Sequence, residues 1–125
     1  MERTGHVLIV DDAREVRSSL RVNLVKAGLD VHLAESAEEA LAMLHDKNVD
    51  IVLTDVKMPG MSGMDLLHAV RERWPDIAVV VMTGHGSVED AVTAMKVGAT
   101  DYIIKPVSKD ELLVILERAL RERAL

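Results

Sequence analysis

The chain contains no cysteine and no phenylalanine among its 125 residues. The absence of cysteine excludes disulfides and thiol chemistry, and it fits a reducing compartment. With only one tryptophan and one tyrosine, the core must be built from aliphatic side chains. The sequence also lacks a secretory leader and any apolar run near the roughly 18 residues of a membrane span. These absences together predict a cytoplasmic protein that makes no contact with a membrane.

Basic residues are fewer than acidic ones, 15 against 21, which gives a formal net charge of −6. An acidic surface argues against direct nucleic-acid binding by this chain, because the phosphate backbone attracts cationic proteins. It favours a partner with some positive surface instead. The length predicts one domain over residues 1–125, since a chain of this size forms a single core.

Short apolar runs alternate along the chain with helical patterns. Continuous apolar runs are typical of parallel strands that are covered on both faces. Four such runs are found, at residues 7–10, 51–54, 77–82 and 102–104. Residues 31–34 alternate in polarity, which favours a strand at the edge of the sheet. Helix starts are predicted where a serine precedes an acidic residue by three positions, at Ser36, Ser62, Ser87 and Ser108.

Five strands and five helices in strict alternation predict an α/β fold with a doubly wound parallel sheet. One common order for such sheets, 2-1-3-4-5, would place the alternating second strand at an edge and strands 1 and 3 side by side. In such sheets the ligand lies beyond the carboxyl ends of the strands, where the order reverses. The fold class therefore predicts a site at the ends of strands 1 and 3.

Polar residues occur where these strands end. Asp11 and Asp12 follow the first strand, Asp55 follows the third, Thr83 ends the fourth and Lys105 follows the fifth. Three converging carboxylates repel one another unless a cation lies among them. Mg²⁺ prefers such hard oxygen ligands, and a lysine ammonium binds a phosphate oxygen. An aspartate can also act as a nucleophile and become an aspartyl phosphate. The pattern predicts a magnesium site beside an anion site.

Four stretches carry these polar residues: VLIVDD at 7–12, TDVKMPGMSG at 54–63, VMTGHG at 81–86 and GATDYIIKP at 98–106. Their sequences and spacing, which span essentially the whole chain, resemble the receiver domain of two-component response regulators. The segment 82–92 is most similar to receivers attached to transcription factors of the nitrogen-regulation and nitrogen-fixation types. The resemblance implies a flavodoxin-like fold with five helices on two faces of the sheet.

The resemblance also implies a role for each residue of the site. Asp55 would accept a phosphoryl group from a sensor histidine kinase. Asp12 and Asp55 would bind Mg²⁺ directly, Asp11 would act mainly through water, and the backbone carbonyl of Lys57 would complete the protein ligands. Lys105 would hold the phosphoryl group.

Two further residues would act as a switch. Thr83 would bond to the phosphoryl group, and Tyr102 would then swing inward. This would change the partner of the face built by the fourth helix, fifth strand and fifth helix. The partner would be a second copy, in a homodimer formed on phosphorylation, or an output or effector domain. The Lys105–Pro106 bond is expected to be cis, and Val107 replaces the phenylalanine usual in close relatives.

Other interpretations remain open at this point. Asp12 alone could cap the first helix. Haloacid-dehalogenase-like phosphohydrolases place an Asp-x-Asp motif after a similar strand, although this chain has adjacent aspartates and no length for a cap domain. An interaction module that has lost phosphorylation is a third alternative. The charged stretch 71–73 is expected to form a solvated helix face, and residues 121–125 could begin a linker to an output domain.

Overall fold

The computed structural model describes residues 5–84 and 87–124, so two positions of the VMTGHG stretch, 85 and 86, lie outside the described residues. Five strands alternate with five helices along the chain. The strands are β1 (His6–Val10), β2 (Asp30–Ala34), β3 (Ile51–Asp55), β4 (Ala78–Thr83) and β5 (Asp101–Ile104). The helices are α1 (Arg14–Lys26), α2 (Ala37–Asp46), α3 (Gly63–Arg73), α4 (Val88–Val97) and α5 (Lys109–Ala124).

All strand pairs are parallel, and the order across the sheet is β2-β1-β3-β4-β5. The predicted order is confirmed, and each strand lies within one residue of its predicted bounds. The alternating strand β2 is at the edge, as expected, while β1 and β3 lie together in the middle. None of the helices in the described ranges is long and apolar enough to cross a membrane.

The core consists of two layers, one on each face of the sheet. Because side chains alternate across a strand, Leu8 and Val10 face one layer while Val7 and Ile9 face the other. The first layer is formed with buried residues of α2, α3 and α4, and the second with those of α1 and α5. This arrangement confirms five helices on two faces, and it explains why the central strands are apolar throughout.

Each of the four predicted serines directly precedes a helix, but not every one of them caps it. Ser62 and Asp65 form a complete capping box before α3. Ser36 accepts the Glu39 N–H before α2 at 3.0 Å. Ser87 precedes α4 as predicted, but its side chain makes no capping hydrogen bond among the described residues. The pattern therefore located the start of α4 without identifying what satisfies its first turn.

The expectation of a solvated face at residues 71–73 is wrong for Arg71. Its guanidinium donates a hydrogen bond to the carbonyl of Ile77, at the approach to β4. Its stem lies against Gly98, where an added Cβ would be 2.9 Å from the Arg71 Cδ. Burial lowers the pKa of Arg71, and the charge of Asp76 partly offsets this. Gly98, which ends α4 with a φ of 118°, has no side chain, and this leaves room for the stem of the partly buried arginine.

A close backbone approach lies under the end of β3, at Gly63. A Cβ atom added to Gly63 would lie 1.9 Å from the carbonyl oxygen of Asp55 and 2.9 Å from the Cα of Val56. Both neighbours are backbone atoms, so neither can move aside without distorting the strand end. The first residue of α3 must therefore be glycine for the helix to pack beneath β3.

We predict that Gly63→Ala lowers the free energy of unfolding by at least about 2 kcal/mol, because overpacking forces the backbone apart. Urea denaturation monitored by circular dichroism measures this change. Gly84→Ala is the matched control, because its Cβ would meet only the Ser87 hydroxyl at an ordinary 3.7 Å. Equal stability of the two variants would contradict the assigned packing of α3 against β3.

Candidate metal centre

Three carboxylates meet at the carboxyl edge of the sheet. Asp11 and Asp12 follow β1, and Asp55 ends β3, which is the neighbouring strand. One oxygen from each of the three side chains lies within 4.8 Å of the others. The predicted convergence of these residues is therefore confirmed, because the sheet order brings the two strand ends together.

Asp11 is fully buried, and both of its carboxylate oxygens have partners. Oδ1 accepts the N–H of Ala13 at 2.9 Å, and Oδ2 accepts from the Nζ of Lys105 at 3.0 Å. Asp12 is exposed on the rim, and α1 has Ala13 as its N-cap rather than Asp12. The side chain of Asp12 thus faces the site, and the interpretation of Asp12 as a helix cap is wrong.

Lys105 lies between two of the carboxylates. Its Nζ is 3.0 Å from Asp11 Oδ2 and 3.2 Å from Asp55 Oδ2. Burial, the largest single influence, lowers the pKa of Lys105, but the hydrogen bond to Asp11 and the charges of Asp55 and Asp11 outweigh it. The pKa of Lys105 therefore lies above its ordinary value, and the side chain is a permanent cation at neutral pH.

The network favours the ionised form of Lys105 but not the ionised form of Asp55. Burial raises its pKa above the ordinary value, the charge of Lys105 opposes the rise, and the charge of Asp11 adds to it. The N–H of Lys57 donates to Asp55 Oδ1 over a long 3.4 Å. Three carboxylates against one ammonium leave two uncompensated negative charges. A divalent cation is the species whose charge this set of ligands matches.

Thr83 supplies a buried hydroxyl close to this rim. The residue is 1% exposed, and its Oγ1 has no hydrogen-bond partner in the described part of the chain. It ends β4 beside the end of β3, where Asp55 pairs with Met82. A buried hydroxyl without a partner costs about 1–3 kcal/mol, so an acceptor placed here would relieve that cost.

Tyr102 is not part of the cluster. Its side chain is 39% exposed on β5, and it lines a surface groove with Val92 and Met95 of α4. The predicted inward swing of Tyr102 stays a prediction. The Lys105–Pro106 peptide bond is cis, as the resemblance implied. Val107 is half-buried and packs against the core layer that contains α1 and α5.

Two contacts at the rim were not predicted from the sequence. The hydroxyl of Thr54 donates to the carbonyl of Asp55 at 2.9 Å, and the guanidinium of Arg17 donates to the carbonyl of Asp11 at 2.8 Å. Both are contacts to backbone oxygens, which carry no signature of their own in the sequence. The only available signal for Arg17 was its place one turn into α1, on the side of the acidic pair.

The chain is similar to known proteins over most of its length. Residues 7–117 match the family described as the response regulator receiver domain. The chain is 40% identical over 116 residues to the DNA-binding transcriptional regulator NtrC of Salmonella typhimurium, covering 93% of this chain and 25% of that protein. It is 37% identical over 114 residues to the luminescence regulatory protein LuxO of Vibrio campbellii, covering 91% of this chain and 25% of that protein.

Solved structures agree with the sequence relatives. A response regulator receiver domain protein from Clostridium thermocellum superposes with a TM-score of 0.92 at 34% identity, covering 96% of this chain and 97% of that one. The chain spans only 25% of the length of the two curated relatives, so the resemblance to them concerns one part of each. The fold, the strand-end residues and these similarities lead to one assignment: the chain belongs to the response regulator receiver domain family of two-component systems.

Proposed function

We propose that this domain accepts a phosphoryl group on Asp55 from a phosphohistidine of a sensor histidine kinase. The observation that carries the proposal is the position of Asp55 at the mouth of the rim, 3.2 Å from Lys105 and beside two further carboxylates. The domain acts as a signalling module that assists its own phosphorylation and dephosphorylation, rather than as an enzyme with a separate substrate.

In the proposed transfer, a carboxylate oxygen of Asp55 attacks phosphorus while the bond from phosphorus to the donor imidazole breaks. Phosphoryl transfer requires positioning and charge stabilisation more than covalent assistance. Lys105 supports both requirements, because its ammonium is fixed by Asp11 and remains protonated. After transfer, the ammonium would pair with a phosphoryl oxygen in place of the Asp55 oxygen.

The carboxylate set fits Mg²⁺, which would neutralise charge on the transferred group when bound. Asp12 and Asp55 would be direct ligands, and the carbonyl of Lys57 would be the third. Asp11 would act mainly through water, a role supported by the engagement of both its oxygens with Ala13 and Lys105.

The proposed switch begins at Thr83, whose buried hydroxyl would gain an acceptor from the phosphoryl group. Thr83 pairs with Ile104 in the sheet and accepts the Lys105 N–H through its carbonyl at 2.8 Å. Movement at Thr83 would therefore reach β5 directly, and with it Tyr102. A shift between two arrangements of the α4-β5-α5 face would follow. That face would then bind a second copy or an output domain.

The setting of the domain is also proposed. We place it in the cytoplasm, as a single receiver domain over residues 1–125 that controls transcription through an output domain. Residues 121–125 would begin the linker, a role supported by the continuation of α5 to Ala124. The net charge of −6 supports an output that acts without direct nucleic-acid contact by this domain.

Incubation with acetyl phosphate and Mg²⁺ tests the acceptor. Intact-mass measurement should show the gain of one phosphoryl group on the wild-type chain, because acetyl phosphate supplies the same group as a phosphohistidine. Asp55→Ala should gain none, and chelation of the metal should reduce labelling of the wild type by at least about tenfold.

Asp46→Ala is the matched control, because it removes an exposed aspartate at the end of α2, away from the rim. Labelling of Asp55→Ala to the wild-type level would refute the assigned acceptor. Steady turnover of a small phosphate ester would instead favour the phosphohydrolase alternative.

Asp55→Asn tests the electrostatics of the cluster. When folding raises the pKa of a carboxyl group, the folded state keeps its proton to a higher pH than the unfolded state does. The free energy of unfolding then falls as the pH rises from the unfolded pKa to the folded pKa. At pH 7 the charge of Asp55 therefore destabilises the metal-free fold. Asp55→Asn should raise the free energy of unfolding in the presence of a chelator by on the order of 1 kcal/mol.

Saturating Mg²⁺ should reverse the order of stability of the wild type and Asp55→Asn. It should stabilise the wild type by about 1–3 kcal/mol through binding to the folded state, and it should have a much smaller effect on Asp55→Asn. Urea melts with and without the metal measure both effects, with Asp46→Asn as the control. A metal-free Asp55→Asn protein less stable than wild type would show that Lys105 fully compensates the cluster.

A further inference from the structure

We propose that Arg17 is a positioning residue for the metal site, which holds the loop of residues 11–13 between β1 and α1 in its binding conformation. The inference rests on the proposed magnesium site, and it assigns to Arg17 the task of holding the loop against the repulsion of the carboxylates. Arg17 itself would not contact the ion.

The side chain of Arg17 is tied to the first residue of this loop. Its guanidinium Nη1 donates to the carbonyl of Asp11 at 2.8 Å, whereas its backbone N–H makes the first helical hydrogen bond of α1, to the carbonyl of Ala13 at 3.1 Å, whatever the side chain. Its side chain is only 14% exposed, and Nη2 lies 3.7 Å from the carboxylate of Glu35, just beyond β2. One residue thus connects α1, the end of β1 and the end of β2.

Apart from Arg17, the loop is held by Lys105, whose ammonium donates to the Asp11 carboxylate at 3.0 Å, and by backbone hydrogen bonds. The N-cap of α1 is Ala13, whose methyl side chain cannot cap a helix. The N–H of Asp11 bonds to the carbonyl of Ala34 at a long 3.2 Å, and the Asp11 carboxylate accepts the N–H of Ala13. The exposed carboxylate of Asp12 lies in this loop, next to two other negative groups. The charge-assisted hydrogen bond from Arg17 therefore restrains the backbone carbonyl of Asp11, which the contact of Lys105 with the Asp11 carboxylate does not reach.

Charge and position affect metal binding in opposite directions at Arg17. A cation near the site opposes Mg²⁺ by Coulomb repulsion, so loss of the charge alone should tighten binding. Loss of the restraint on the loop should weaken it. Arg21 lies one turn further along α1, carries the same charge and is exposed. Arg21→Ala therefore measures the effect of the charge without that of the contact.

Mg²⁺ affinity measured by isothermal titration calorimetry on wild type, Arg17→Ala and Arg21→Ala tests the proposal. Arg17→Ala should bind Mg²⁺ about tenfold more weakly, the usual cost of removing a group that orients a metal ligand. Arg21→Ala should bind as tightly as wild type or slightly more tightly. An Arg17→Ala affinity equal to that of Arg21→Ala, or tighter, overturns the proposal.

Two variants separate the contacts of Arg17. Glu35→Gln removes the ion pair but leaves the carbonyl contact. Mg²⁺ affinity should then change by less than about twofold, because the pair is 3.7 Å long and its carboxylate is 68% exposed. Arg17→Lys keeps the charge but gives up the guanidinium fork, and its affinity should lie between those of wild type and Arg17→Ala. A loss in Glu35→Gln as large as that in Arg17→Ala would contradict the role of the carbonyl contact.

A general loss of stability is distinguished by Leu24→Val, which reduces the packing of a fully buried residue of α1 away from the loop. Its Mg²⁺ affinity should match wild type, and a loss equal to that of Arg17→Ala overturns the proposal. If Arg17→Ala does not fold, Arg17→Lys and Arg21→Lys replace the alanine pair. Equal affinity of those two would then be the contrary result.

A metal-free readout separates this proposal from the magnesium site. Amide hydrogen exchange of Ala13, whose N–H bonds to Asp11, should be faster in Arg17→Ala than in Arg21→Ala, measured with a chelator present. Equal exchange would show that Arg17 does not hold the loop. Failure of the wild type to bind Mg²⁺ would refute the proposed function and leave this test of Arg17 intact.

Discussion

The mutual repulsion of three carboxylates at one edge of the sheet is the constraint on which the rest of the site depends. Lys105 bridges Asp11 and Asp55 and relieves part of the repulsion. Because one ammonium cannot compensate three negative charges, the pKa of Asp55 remains raised by burial and by Asp11. The arrangement of this cluster is one that a divalent cation would fit.

The surroundings of the cluster are rigid where the charge is buried and open where chemistry would occur. Asp11 is fully buried, with a partner for each oxygen, whereas Asp12 is exposed and Asp55 is partly accessible. The close approach of Gly63 to the Asp55 carbonyl fixes the backbone beneath the site. Thr83 lies at the neighbouring strand end, and its hydroxyl has no partner in the described part of the chain. The site thus combines bonded carboxylates with one buried hydroxyl that could accept a new partner.

The sequence predicted the strands well, because a central parallel strand is covered on both faces and has an unbroken apolar run. Their order across the sheet rested in part on the resemblance to receiver domains. The weaker predictions from the sequence concern contacts of single side chains. The stretch 71–73 has the composition of a solvated helix face. Arg71 nevertheless donates a hydrogen bond to the Ile77 carbonyl, because Gly98 leaves room for its stem. Ser87 marks the start of α4 without capping it. Packing against the distant Gly98 decided the position of Arg71.

The sequence by itself determined which residues stand at the strand ends, because apolar runs of fixed length place the next polar residue at the carboxyl edge. It thereby determined that Asp11, Asp12, Asp55 and Lys105 share one rim. Only the tertiary structure decided the distances, such as the 3.0 Å contact between Asp11 and Lys105, which are 94 positions apart. It also decided that Arg17 bonds to a backbone carbonyl. Such side-chain contacts depend on how the helices and loops pack against the sheet, and no local sequence pattern predicts that packing.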